Sequence, residues 1–268
     1  WQLFADKALN AGLSCGLRVN PQINEVKTAL YNPGGSQSRL GIHDIELKTL
    51  PEGIEGLHVH ALCENDADST VRLLEAIEKH FGHLLDKLKW LNLGGGHLMT
   101  RNGYDTELLI RTLADFRQRH PRLEIVLEPG SAIAWDTGPL ISTVLDIIQR
   151  DGIDIAILDI SATDHMPDVL EMPYRPAVRG AGDVEEKNYV YRLGGLSCLA
   201  GDVIGDYAFD RKLQTGDKII FEDMMHYTMV KTTMFNGLNH PAIAIQREDG
   251  STDVIRRFSY RDYEARLS

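Results

Sequence analysis

Four short apolar runs limit what this chain can fold into. LSCGLRVN (13–20), IEGLHVHALC (54–63), KWLNLGG (89–95) and LEIVLEPG (123–130) are separated by stretches long enough to hold a helix. Between the second and third runs, Leu74, Ile77, Phe81, Leu84 and Leu88 recur at spacings of three and four, which is one apolar helix face. Leu109, Leu113 and Phe116 repeat the pattern before the fourth run, with Asp105 placed to cap that helix. Between the first and second runs, NPGGSQSRLGI reads as a loop leading into a short helix. Strand, loop, helix, strand is the rhythm of a parallel sheet. After Trp135 the rhythm changes. STVLDIIQRDGIDIAILDIS alternates around Arg150-Asp151-Gly152, a hairpin signal. YVYRLGGLSC, DKIIFEDM and AIAIQREDGSTDVIRRF follow between Gly/Asp turns, as expected of antiparallel β structure. Two domains are expected, an α/β part over residues 1–135 and a β domain over residues 136–268.

Charge and cysteine content narrow the function classes. The net charge of −11 argues against a nucleic-acid partner and suits a small cationic substrate. No apolar run reaches the roughly 18 residues of a membrane helix, so no membrane association is expected. The opening WQLFADKALNAG lacks the basic-then-apolar order of a signal peptide. Cys15, Cys63 and Cys198 are odd in number and far apart, which points to a reducing, cytoplasmic setting rather than a disulfide framework.

Several motifs carry chemistry. Gly94-Gly95-Gly96 closes the third run; bare backbone at a strand end can turn N–H groups on an anion, and it equally makes a tight turn. Glu128, in LEPGSA, ends the fourth run and either faces the same site or caps a loop. His58 and His60 share a face if the strand continues. They are a metal-ligand pair, a ring packed on a cofactor, or histidines bonded into the core. In GGLSCLAGD, Cys198 sits among turn residues with Asp202 beyond it. FEDMMHYTMVKTTMFNG (221–237) offers Tyr227 and Phe235 for anion and substrate contacts, or forms a helical piece of core.

The order GLHVHALC, LGGGH, EPGSA, SCLAGD, DMMHYT, MFNG resembles the fold-type III pyridoxal-phosphate decarboxylases, the alanine-racemase-like barrels. SCGLRVNP, YNPGGSQSRLG, HALCEND, HMPDVLEMPYRP and CLAGD look most like the carboxynorspermidine (carboxyspermidine) decarboxylase branch. The resemblance implies an α/β fold, a partial TIM-like β/α barrel followed by an antiparallel β domain. It implies pyridoxal 5'-phosphate as cofactor and decarboxylation of a cationic amino-acid or polyamine substrate. Gly94, Gly95 and Gly96, helped by Gly130 and Ser131, would hold the phosphate, where a side chain would block the approach. Relatives often carry arginine at the position of Ser131. Tyr227 is the matching phosphate ligand on the β domain, and Cys63 falls where relatives place a serine near the phosphate. His60 would stack on the ring. Glu128 would meet the pyridine nitrogen and lie against the substrate. Cys198 matches the acid that protonates the product carbon. Asp164, Asp202 and Phe235 are the substrate-contact candidates, and no metal is implied. Family active sites form between two subunits, which implies a homodimer with shared sites.

The family tethers its cofactor through a Schiff-base lysine on the first barrel strand. Lys7, Lys27, Lys48 and Lys231 all lie in other contexts, and four strands are found where a closed barrel needs eight. The chain is therefore expected to be the C-terminal part of a longer protein. Three alternatives stand beside this reading. One is a non-catalytic cofactor-binding relative. A second is a metal-dependent hydrolase built on His58 and His60 with His97 or Asp159. The third is a diaminopimelate decarboxylase, whose usual EPGR and CESGD are EPGS and CLAGD here.

Overall fold

Alternating strand and helix patterns become a parallel sheet in the first half of the chain. The structure, a computed structural model, describes residues 1–268 and divides into two units, Trp1–Trp135 and Asp136–Ser268. In chain order the first contains α1 (Ala5–Asn10), β1 (Cys15–Arg18), β2 (Ile54–His58), α2 (Ala67–Leu85), β3 (Trp90–Asn92), α3 (Thr106–Arg119), β4 (Glu124–Val126) and α4 (Ser131–Ala134). The four strands lie in the order β1-β2-β3-β4, all parallel, as an open half-barrel sheet with β1 and β4 at its edges. Each strand is shorter than its apolar run because the end of the run turns out of the sheet as a loop.

Strand alternation gives this sheet two different faces. On one, Leu57 and Leu91 are fully buried with Leu73, Ile77, Phe81 and Leu84 of α2 and Phe116 of α3. Ile77, Phe81 and Leu84 are the helix stripe read from the sequence; Leu74 is buried with them, Leu73 joins them, and Leu88 is buried just past the end of α2. The Asp105 carboxylate accepts the Leu108 N–H at 2.8 Å and caps α3 as expected. The other face carries Gly16, Gly56 and Trp90 in register. A Cβ on Gly56 would lie 2.1 Å from the Trp90 ring, and one on Gly16 would lie 2.2 Å from it. The indole therefore lies in a trough that only glycine leaves open. Its Nε1 donates to Ser14 Oγ at 2.9 Å.

Residues 32–42 form no helix. A single 3-10 turn at Ala29–Tyr31 comes before them, and Pro33, Gly34 and the left-handed Gly41 (φ +87°) keep the chain turning.

The second unit contains β5 (Leu140–Arg150), β6 (Ile153–Leu158), α5 (Ala162–His165), α6 (Asp168–Glu171), β7 (Tyr189–Gly194), β8 (Val203–Phe209), β9 (Lys218–Phe221), α7 (Tyr227–Val230), β10 (Ile243–Gln246), β11 (Thr252–Arg256) and α8 (Tyr260–Leu267). Its main sheet runs β8-β7-β6-β5-β9, and β10 and β11 pair separately as a hairpin. Asp151 (φ +49°) and Gly152 (φ +80°) make the left-handed turn that joins β5 to β6. One pairing departs from the antiparallel expectation: β6 and β7 are parallel. The connection between them is a crossover carrying α5 and α6, which hairpin signals do not reveal. Val144, Leu158, Leu193 and Phe221 form the centre of this unit's core. The helical alternative for 221–237 survives only as the short α7 and a 3-10 turn at Phe235–Gly237. No helix of the chain is long and apolar enough to cross a membrane.

Two glycine substitutions should move stability in opposite directions. Gly56→Ala must displace the indole and should cost about 1–3 kcal/mol. Gly82→Ala, in α2 with nothing within 4 Å of the new methyl, should add up to about 1 kcal/mol. Urea unfolding midpoints of the two variants test the pair.

Candidate active site

In-register parallel strands bring their carboxyl ends to one edge. Arg18, His58 and Asn92 occupy one row across β1, β2 and β3. The row continues past the strand ends through Val59 N to Asn92 O (2.7 Å), Leu93 N to Val126 O (2.8 Å) and Glu128 N to Gly94 O (2.8 Å). These backbone bonds carry His60, the three glycines and Glu128 to the same place.

The side chains there form a connected set. Asn92 Nδ2 donates to Glu128 Oε1 at 2.7 Å, and Asn92 Oδ1 accepts the Gly94 N–H at 2.8 Å. Glu128 Oε2 lies 3.4 Å from His58 Nε2. His60 Nδ1 accepts the Gly95 N–H at 3.2 Å, which places the proton of a neutral ring on Nε2. Arg18 Nη2 donates to the His60 carbonyl at 3.1 Å. Burial lowers the His60 pKa, Arg18 adds to the fall and Glu128 opposes it, and an Nδ1 that accepts the Gly95 N–H belongs to a neutral ring.

The triple glycine meets a packing need beside the expected clearance for a ligand. Gly94 (φ +68°) and Gly96 (φ +86°) take left-handed backbone. A Cβ on Gly96 would lie 2.2 Å from the Leu62 carbonyl, and one on Gly95 would lie 2.8 Å from the Glu128 carbonyl. The bare backbone lets the loops after β2, β3 and β4 touch one another. The N–H groups of Gly94 and Gly95 are already turned on Asn92 and His60. Gly130 precedes α4 with open space at its Cα, Ser131 begins that helix, and Cys63 is half-buried with its N–H on Asn65 Oδ1.

The metal-ligand alternative changes its members. His97 is buried, and its Nδ1 is bonded to Thr70 Oγ1 at 3.1 Å. Asp159 accepts from Ser142 Oγ and the Thr143 N–H in the second unit. Neither joins His58 and His60. Glu128 does, with ligating atoms of all three within 4.8 Å of one another. Gly95 and Asn92 already occupy one atom each of His60 and Glu128, so the set offers a flat neutral ring beside a carboxylate.

In the second unit Cys198 is exposed, and its N–H is donated to Asn236 Oδ1 at 2.8 Å. The two aspartates expected to meet substrate are turned inward. Asp202 accepts from Ser161 Oγ (2.7 Å), Ala162 N (2.7 Å) and Ser197 N (2.9 Å). Asp164 accepts from Thr233 Oγ1 (2.5 Å) and Phe235 N (2.8 Å). Asp164 is 0% exposed and Asp202 4%; the accepted donors offset the cost of burying a carboxylate and make both loop anchors, although Asp164 Oδ2 is buried without a partner. Tyr227 and Phe235 are exposed, and Lys231 is paired with Asp168 and Glu171. Sequence reading passed over Asn92, Ser161 and Asn236. Two of them sit inside motifs already singled out, LNLGGG and MFNG, and the Asn-Gly pair at 236–237 is itself a signal for left-handed backbone.

A parallel sheet that presents an imidazole ring and a carboxylate at its carboxyl edge has the build of a cofactor-dependent α/β enzyme. Residues 25–225 match the family model "Pyridoxal-dependent decarboxylase, C-terminal sheet domain". A carboxyaminopropylagmatine decarboxylase from Synechocystis sp. is 54% identical over 268 residues, covering all of this chain and 69% of the relative. A carboxynorspermidine/carboxyspermidine decarboxylase from Campylobacter jejuni is 43% identical over 265 residues, covering 94% of this chain and 69% of the relative. The crystal structure of carboxynorspermidine decarboxylase complexed with norspermidine from Campylobacter jejuni superposes with a TM-score of 0.88 at 41% identity, covering 99% of this chain and 72% of that one. Diaminopimelate decarboxylases match more distantly. The chain belongs to the pyridoxal-dependent decarboxylase family. Its cofactor is pyridoxal phosphate, and the site fits that group: His60 offers a neutral ring to stack and Glu128 a carboxylate for a protonated ring nitrogen.

Burial pushes the His97 pKa down to about 4 from its ordinary 6.5. The unfolded chain therefore binds a proton that the folded one refuses. Stability is fully present above pH 6.5 and is lost as pH falls toward 4, by up to about 3 kcal/mol from this group. Urea midpoints at pH 7.5 and pH 4.5 should show the loss, and His97→Gln should reduce it.

Proposed function

We propose that this protein removes the carboxylate from a carboxylated polyamine, converting carboxynorspermidine or carboxyspermidine to norspermidine or spermidine in polyamine biosynthesis. The observation that carries this reading is the likeness to the norspermidine-bound structure. The net charge of −11 favours a cationic substrate. Carboxyaminopropylagmatine is the second reading, favoured by 54% identity along the whole chain. That substrate ends in a guanidinium group where spermidine ends in an amine.

Pyridoxal phosphate, when bound, supplies the sink for the electron pair left as the carboxylate departs. Glu128 holds a proton on the ring nitrogen: Asn92 fixes Oε1 and leaves Oε2 to accept a charge-assisted hydrogen bond. His60 packs against the ring face, its orientation set by the Gly95 N–H. Gly94–Gly96, helped by Gly130 and Ser131, are the proposed phosphate contacts, and the glycines also hold together the loops that frame the site. Cys63 and Tyr227 keep the phosphate-side roles implied by the resemblance. Cys198 delivers its thiol proton to the carbon that lost the carboxylate. Phe235, exposed beside the Cys198 loop, offers an apolar face to the methylenes of the substrate. The proposal includes a two-fold homodimer and a cytoplasmic location, the latter supported by three cysteines that are odd in number and joined by no disulfide.

Release of carbon dioxide by the full-length protein tests the reading. Carboxynorspermidine, carboxyspermidine, carboxyaminopropylagmatine and diaminopimelate are to be compared by kcat/KM. One of the three polyamine substrates should exceed diaminopimelate at least a hundredfold; the reverse order would overturn the assignment. Glu128→Gln should lower kcat by about a hundredfold, with the absorbance of bound cofactor reporting whether loading survives.

A further inference from the structure

The second unit contains a buried polar frame for which the proposed reaction gives no direct use. Asp202 and Asp164 point away from solvent, and Ser161 joins them: its Oγ donates to Asp202 Oδ2 at 2.7 Å and accepts the Asp164 N–H at 3.2 Å. Each aspartate then holds one exposed loop. Asp202 takes the N–H of Ser197, the residue before Cys198. Asp164 takes the N–H of Phe235, the residue before Asn236. The two loops meet where Asn236 Oδ1 accepts the Cys198 N–H at 2.8 Å. The ring of contacts is closed: Cys198, Asn236, Phe235, Asp164, Ser161, Asp202, Ser197.

Asn236, exposed like Cys198 and Phe235 in that ring, is held in left-handed backbone (φ 57°, ψ 13°). Asparagine tolerates that conformation better than most side-chain-bearing residues. Its short amide also reaches the neighbouring loop from there. An exposed thiol on a turn would otherwise sample many positions, whereas proton delivery to one carbon face needs one.

We propose that Asn236 is a positioning residue for Cys198, and that the frame of Asp164, Ser161 and Asp202 locks Cys198 and Phe235 into one unit. The aspartates thus act on the reaction through the loops they hold and not by touching substrate. The inference rests on the reading of Cys198 as the proton donor.

Two substitutions separate the hydrogen bond from the backbone conformation. Asn236→Gly keeps the left-handed turn and removes the acceptor. Asn236→Asp keeps both. Amide hydrogen exchange at Cys198 should rise about five- to tenfold in Asn236→Gly and return to the native rate in Asn236→Asp. Alkylation of the Cys198 thiol, followed by peptide mass, should change in step. In the full-length holoenzyme Asn236→Gly should lower kcat several-fold with KM nearly unchanged. It should also raise the share of turnovers in which the proton reaches the wrong carbon, so that water releases the substrate carbon as an aldehyde and the amino group would be left on the cofactor. Unchanged exchange at Cys198 in Asn236→Gly overturns the proposal, as does failure of Asn236→Asp to restore it. Altered exchange with unaltered kcat and product ratio overturns the catalytic part. Cys198→Ser, assayed alongside, distinguishes the two failures: if it keeps the full rate, the donor assignment itself is wrong.

Discussion

The in-register pairing of four parallel strands is the constraint on which the candidate site depends. Arg18, His58 and Asn92 are far apart in sequence, and only the common register places them in one row. A shift of one residue in β3 would turn Asn92 toward the helices and Leu91 into the site. The Trp90 indole opposes that shift, because it fits only where Gly16 and Gly56 leave a trough on the neighbouring strands. Packing on the other face works in the same sense, with Leu57 and Leu91 fully buried against α2. A large ring at the base of the sheet therefore supports the chemistry at its carboxyl edge.

The glycine triplet extends the same register beyond the strands. Close approach of three loops needs backbone without Cβ atoms, and it gives Asn92 and His60 fixed N–H donors. Asn92 connects the pieces: its amide holds Glu128 on one side and Gly94 on the other. The neutral His60 ring and the Glu128 carboxylate are complementary environments, one desolvated and the other half-exposed. A pyridinium ring requires that combination of an apolar face and an anionic nitrogen partner. The second unit uses buried carboxylates differently. Asp202 is satisfied by backbone N–H and hydroxyl donors on both oxygens, while Asp164 accepts through Oδ1 and keeps Oδ2 buried without a partner; both hold loops through those bonds.

Much of this was legible from local pattern. The helix stripe of α2, the Asp105 cap and the Asp151-Gly152 hairpin turn are short-range signals, each decided by residues within a few positions. His58, His60, the glycines, Glu128 and Cys198 were visible because chemistry-bearing residues at strand ends and in turns stand out against apolar runs. The parallel β6–β7 pairing was not legible, since a crossover leaves no turn signature. Nor was the inward orientation of Asp164 and Asp202, because a carboxylate in a loop reads the same whether it faces solvent or a backbone N–H.

The sequence by itself determined the two-part organisation, the strand–helix alternation and the candidates for reactive side chains, because periodicity and turn chemistry act locally. Only the tertiary structure decided which groups meet. It coupled Glu128 to Asn92 and His58, dismissed His97 and Asp159 from that cluster, and tied Cys198 to Asn236 across an interval of 38 residues. Those contacts depend on register and on the space left by missing side chains. Both are properties of packed neighbours, and no single segment encodes them.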